Sequence, residues 1–135
     1  MTSERTKKKV LLVDDDVDFL EQHRIFLESE DFEVISAHSR AEAETILEDL
    51  TPDLAILDLM MDETDDGFVL AYHIKKKNRD IPVILVTAVT SETSLEFDTI
   101  GSEGSWIKAD AMLPKPIRFE QLKREIHRLC KADTI

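Results

Sequence analysis

Four short apolar runs in this chain end on residues that can do chemistry. Val10-Leu11-Leu12-Val13 runs into Asp14-Asp15-Asp16, and Leu54-Ala55-Ile56-Leu57 runs into Asp58. Val83-Ile84-Leu85-Val86 ends at Thr87, and Ala111-Met112-Leu113 ends at Pro114-Lys115-Pro116. Taken singly, an Asp after a strand is a turn or cap residue, and a Lys between prolines is surface. An acid pair, an Asp, a Thr and a Lys closing four strands in that order are much harder to obtain by accident. If the runs lie side by side, three carboxylates converge with a hydroxyl and an ammonium beside them. Two carboxylates about 4 Å apart repel by roughly 4 kcal/mol at an effective dielectric near 20. Three such pairs would approach the whole stability of a domain. A hard divalent cation removes that cost, and an oxygen-only set that leaves room for water suits Mg²⁺. Lys115 can neutralise further negative charge arriving on a substrate. The chemistry such a site could run is phosphoryl transfer to a carboxylate, with Mg²⁺, Lys115 and Thr87 holding the equatorial oxygens.

The elements between these residues are of the kind that would position them. Phe19, Leu20, Phe26 and Leu27 recur with helical period up to about Glu28. Phe32 to Ala37 reads as a second strand. Ser39 caps the next helix with Glu42 as its capping-box partner, and Ala43, Ile46, Leu47 and Leu50 form its buried stripe. After the acidic stretch Met60 to Gly67, a third helix presents Phe68, Ala71, Tyr72 and a snorkelling Lys75 on one side, and closes at Asn78 to Asp80. Thr90 to Ile100 is helical in part, with the weakest periodicity, and Gly101 to Asp110 reads as a loop. Phe119, Leu122, Ile126 and Leu129 make the last helix amphipathic. Uniformly apolar strands alternating with helices mean a parallel sheet covered on both faces. Right-handed crossovers then favour an α/β, flavodoxin-like, doubly wound five-stranded sheet in the order 2-1-3-4-5. In that order the first and third strands flank the switch point of the winding, where ligands bind beyond the carboxyl ends of the strands.

Size and composition narrow the alternatives. The 135 residues make one domain, read as an arm over 1–8, the domain over 9–131 and a tail over 132–135. Charges of 29 acids against 17 bases give −12, which argues against direct nucleic-acid binding. No apolar run is long enough for a membrane span or a signal peptide, so a cytoplasmic location is expected. The single Cys130 cannot form an internal disulfide and reads as core. His23, His38, His73 and His127 lack ligand spacing and read as surface or packing residues. Lys75-Lys76-Lys77 closes a helix, where cations suit the dipole.

The stretches 10–16, 54–61, 82–88 and 113–116 together resemble the receiver domain of two-component response regulators, in order and at nearly the family's spacing, across 9–131. By that resemblance Asp58 accepts a phosphoryl group from a phosphohistidine on a sensor histidine kinase or phosphotransfer protein. Asp15 and Asp58 would bind Mg²⁺ directly with the carbonyl of Met60, and Asp14 more through water. Thr87 and Lys115 would take phosphoryl oxygens, and the backbone N–H groups of Met60 and Ala88 would complete the cradle. Lys115–Pro116 matches the family's cis peptide, and Asp16 reads as a helix-start residue rather than a metal ligand. Phosphorylation would shift a two-state equilibrium and switch binding to a downstream protein partner. Homodimer formation is compatible with this, and the chain reads as a stand-alone receiver or one cut from a larger protein. Met60 and Val89 stand where the family tunes access of the attacking water; both are apolar, so self-dephosphorylation is expected to be slow.

The sequence also departs from the family pattern. Asp62-Glu63-Thr64-Asp65-Asp66-Gly67 is one residue longer and more acidic than usual, which would alter metal affinity or partner choice. Thr87 to Lys115 is about half a dozen residues longer, with the excess in Gly101 to Asp110, where Trp106 is expected to pack locally. Met112 stands where an aromatic is expected. Two other functions compete. The run Val13 to Val17 also fits the opening motif of a haloacid-dehalogenase-type Mg-dependent phosphatase, whose acceptor would be Asp14. The altered loop would also suit a phosphorylation-independent interaction module.

Overall fold

The computed structural model describes residues 8–59, 66–87, 110–115 and 117–130. Five parallel strands form one sheet: β1 (Lys9–Val13), β2 (Glu33–Ala37), β3 (Leu54–Asp58), β4 (Val83–Thr87) and β5 (Ala111–Pro114). Their spatial order is β2-β1-β3-β4-β5, as the strand and helix alternation requires. The described helices are α1 (Val17–Ser29), α2 (Arg40–Asp49), α3 (Asp66–Lys77) and α4 (Phe119–Cys130). The expected elements over 90–100 and 101–109, the side chain of Cys130, and Met60, Ala88, Val89, Trp106 and Pro116 lie outside the described residues.

Strand side chains alternate between two faces, so a strand apolar at every position must be covered twice. Leu11, Val13, Ala55, Leu57, Val83 and Leu85 point to one side, where Ala43 and Leu47 of α2 and Leu70, Ala71 and Ile74 of α3 meet them. Val10, Leu12, Leu54, Ile56, Ile84 and Val86 point to the other, against Leu20 and Leu27 of α1 and Leu122 and Ile126 of α4. The helices therefore lie on both faces, as expected.

The helix starts follow side-chain chemistry. Asp16 has extended backbone and its carboxylate accepts from the N–H groups of Asp18 and Phe19, so it caps α1 as read from the sequence. Ser39 caps α2 by accepting from the Glu42 N–H at 3.1 Å. The reciprocal bond differs from a capping box: Glu42 accepts from the backbone N–H of His38 at 2.7 Å, one residue earlier than expected.

Helix α3 departs further from expectation. It starts at Asp66, and its buried stripe is Leu70, Ala71 and Ile74, whereas Tyr72 is exposed. Phe68–Tyr72 and Leu70–Ile74 are both apolar pairs at i,i+4, so periodicity alone does not choose between them. Gly67 does. Its N–H donates to Leu59 O at 2.9 Å. A Cβ there would lie 2.6 Å from both Asp58 O and Leu59 Cα. The first turn of α3 is thus seated on the backbone leaving β3, which fixes the face the helix buries. The clashing atoms are backbone and cannot swing away. Gly67→Ala is expected to lower the unfolding free energy by about 3 kcal/mol, at the upper end of overpacking costs, as a shift of the urea midpoint.

Lys75 does more than snorkel. Its ammonium meets Asp110 Oδ2 at 2.7 Å, and the same oxygen accepts from the Val83 N–H at 2.8 Å. This ties α3 to the incoming ends of β4 and β5, opposite the candidate site.

Candidate acidic site at the strand ends

The strand register brings the chemical residues to one edge. Val13 pairs with Leu57, Asp58 with Val86, and Thr87 with Pro114, so Asp14, Asp58, Thr87 and Lys115 all emerge together. Backbone hydrogen bonds continue past the strand ends: Leu59 N–H to Val86 O and Lys115 N–H to Thr87 O, both at 2.7 Å, and Asp14 N–H to Ala37 O at 3.2 Å. The site is therefore carried on rigid sheet rather than on loops.

One carboxylate oxygen from each of Asp14, Asp15 and Asp58 falls in a group whose members all lie within 4.8 Å of one another. Asp14 is fully buried, Asp58 and Thr87 nearly so, and Asp15 is exposed. Lys115 extends into the group, with Nζ 2.8 Å from Asp14 Oδ2 and 3.7 Å from Asp58 Oδ1. Asp14 Oδ1 accepts the Asp16 N–H at 2.8 Å, so the residue that caps α1 also braces the buried acid. Burial pushes the Asp14 carboxyl above the usual carboxylate range, although the Lys115 contact and the Asp16 N–H pull it down. Burial alone would lower the Lys115 amine, but the bond to Asp14 and the charges of Asp14, Asp58 and Asp16 outweigh it and hold the ammonium above its ordinary value.

This set fits a hard divalent cation. All its donors are oxygens, it carries more negative charge than one ammonium balances, and Asp15 faces solvent where water ligands could complete a shell. Asp14 Oδ2 is buried, and among the described residues its contact is the Lys115 ammonium, so it is the atom with most to gain.

Sequence reasoning missed the neighbours of Lys115. The ammonium sits over the ring of Phe19, 4.5 Å from its centroid. His23 stacks on the same ring at 3.9 Å between centroids and also meets the Phe119 ring in a T-shaped contact at 5.3 Å. His23 is buried, its Nδ1 lies 2.9 Å from Phe19 O, and among the described residues its Nε2 has no hydrogen-bond partner. Burial lowers its pKa below the ordinary value, which favours the neutral ring. Only the i,i+4 spacing of Phe19 and His23 on α1 signals this pairing in the sequence. His38, His73 and His127 are exposed, as expected.

The chain is similar to known proteins in a consistent way. Residues 10–127 match the family model described as the response regulator receiver domain. The probable transcriptional regulator ycf27 of Cyanophora paradoxa is 32% identical over 95% of this chain and 50% of its own length. The transcriptional regulatory protein CpxR of Escherichia coli K12 is 34% identical over 91% of this chain and 49% of its own. This chain thus spans about half the length of the curated relatives it matches. Among solved structures, a CheY-like response regulator receiver domain protein from Methanospirillum hungatei superposes with a TM-score of 0.79 at 25% identity, covering 96% of this chain and 98% of that one. The response regulator TrrA of Thermotoga maritima, solved with Mg²⁺ and beryllium fluoride, gives 0.73 at 29% identity over 90% of this chain and 98% of its own. These likenesses do not favour the phosphatase or the phosphorylation-independent module. Among the described residues no helix is long and apolar enough to cross a membrane. With the family model matched across nearly the whole chain and the acid, hydroxyl and amine positions gathered at one sheet edge, the protein belongs to the response regulator receiver domains of two-component systems.

Proposed function

We propose that Asp58 is the phosphoacceptor, taking a phosphoryl group from a phosphohistidine on a sensor histidine kinase or phosphotransfer protein. The observation that carries this reading is the meeting of Asp14, Asp15 and Asp58 carboxylates within 4.8 Å, with the Lys115 ammonium 3.7 Å from Asp58 Oδ1. In the transfer an Asp58 oxygen forms a bond to phosphorus as the phosphorus–nitrogen bond breaks, and the electron pair leaves on the imidazole of the donor. Asp14, Asp15 and Asp58, with the carbonyl of Met60, would hold Mg²⁺, which would supply positive charge against the acids and the phosphoryl oxygens. Lys115 would pair with one phosphoryl oxygen and the Thr87 hydroxyl would donate to another. The backbone N–H groups of Met60 and Ala88 would complete the cradle.

The working domain is 9–131, with 1–8 an arm and 132–135 a tail, in the cytoplasm. Phosphorylation would switch binding to a protein partner or a second copy, with no direct contact to nucleic acid from this acidic domain. By the resemblance to the family, Met60 and Val89 would stand where a polar side chain would draw in water, and both are apolar. The half-life of the acyl phosphate in Mg²⁺ is expected to be minutes or longer, followed by loss of ³²P label after donor removal; seconds or less would refute it. The test of the function itself is labelling by a small phosphodonor with Mg²⁺. Wild type is expected to take one phosphoryl group and Asp58→Asn none, whereas label on Asp14 would overturn the assignment.

A further inference from the structure

Lys115 is held unevenly. Its ammonium is drawn to Asp14 at 2.8 Å and to Asp58 at 3.7 Å. Its side chain is about one-fifth exposed and borders a cleft of about 420 Å³ lined by Phe19, Gln22, His23 and Ile117 and by the acids Asp16 and Asp18, which draw a cation outward. A flexible four-carbon stem beside open space loses rotamer entropy when its head is fixed in one place. On the cleft side the ammonium meets the face of Phe19, 4.5 Å from the ring centroid. The ring itself is not free to turn. Phe19 sits in the first turn of α1, whose cap Asp16 accepts its N–H at 3.4 Å. Its ring is stacked with His23, which is in turn held by its contact with Phe19 O and by the T-shaped contact with Phe119.

We propose that Phe19 is a positioning residue for Lys115: its ring seats the ammonium between Asp14 and Asp58, where it can meet a phosphoryl oxygen without swinging into the cleft. The negative face of an aromatic ring attracts an ammonium by its quadrupole. This interaction does not neutralise the ammonium's charge, so the charge stays available to the substrate. A carboxylate in the same place would compete with the phosphoryl group. The inference rests on the phosphoacceptor reading above for its consequence, but not for its geometry.

Two readouts test it, on the full chain. The first needs neither metal nor phosphate. In NMR spectra, ring current from Phe19 is expected to move the Lys115 ε-methylene protons upfield, and Phe19→Leu is expected to return them to ordinary lysine positions. The second is a double-mutant cycle on the initial rate of phosphorylation by a small phosphodonor in Mg²⁺. Phe19→Leu is expected to slow it by about 3- to 10-fold, the range for a partly exposed cation–π contact. Phe19→Trp should restore it, and in a Lys115→Met background Phe19→Leu should change it less than about 1.5-fold if Phe19 acts through the amine. Equal slowing in both backgrounds, or unshifted ε-protons in wild type, would overturn the proposal. If wild type takes no phosphoryl group, the phosphoacceptor reading fails instead, and the ε-proton shift still decides the seat.

Discussion

Lys115→Met is expected to cost about 3–5 kcal/mol of stability at pH 7 without divalent cations, the usual cost of removing one partner from a buried ion pair. Asp14 is fully buried and its Oδ2 has the Lys115 ammonium as its close cation, so the variant leaves a carboxylate with neither water nor counter-charge. The sign with pH follows from the carboxyl. Burial already raises its pKa above 3.8, and loss of the ammonium raises it further. Between the unfolded value and that raised folded value the native state binds more protons than the unfolded chain, so stability falls as pH rises through the window. The deficit of the variant is thus complete above the folded pKa and shrinks as pH falls toward 3.8. Urea unfolding of both proteins at pH 7.5 and pH 4.5 checks this. A deficit that is the same at both pH values would mean that Lys115 acts by packing its stem rather than by charge.

Asp58→Asn is expected to do the reverse in the absence of metal. It removes the repulsion of Asp58 with Asp14 and Asp15, and gives up the looser attraction to Lys115 at 3.7 Å. Each repulsion is worth a few kcal/mol at most at an effective dielectric near 20, and Asp15 is exposed and screened. The net gain is expected to be about 1–2 kcal/mol in chelator. Mg²⁺ should then stabilise wild type by mass action and the variant much less, so the order of stability reverses at millimolar Mg²⁺. Thermal unfolding in chelator and in Mg²⁺ separates these terms. A variant no more stable than wild type in chelator would mean that the acids do not oppose one another in the folded protein.

The fold was legible because its strongest signals are local and agree with one another. Uniformly apolar strands at 10–13, 54–57 and 83–86, each closed by a polar residue, force a two-sided sheet and line up its chemical edge. Asp16 was legible as a cap because its chemistry is satisfied within three residues. What was not legible depends on contacts between elements. Leu70–Ile74 against Phe68–Tyr72 is settled by the seat of Gly67 on the β3 exit, which no periodicity reports. The pairing of Lys75 with Asp110 spans 35 residues of chain. Lys115 could be placed among the acids from its position after β5, but that its closer partner is Asp14 rather than Asp58 is a matter of side-chain geometry between elements.

The most direct test is a crystal structure of the protein with Mg²⁺ and beryllium fluoride. Asp58 is expected to carry the beryllium on one carboxylate oxygen, with Lys115 Nζ on a fluoride and Mg²⁺ at about 2.0–2.1 Å from oxygens of Asp15 and Asp58. Beryllium on Asp14, or a metal bound away from Asp58, would contradict it.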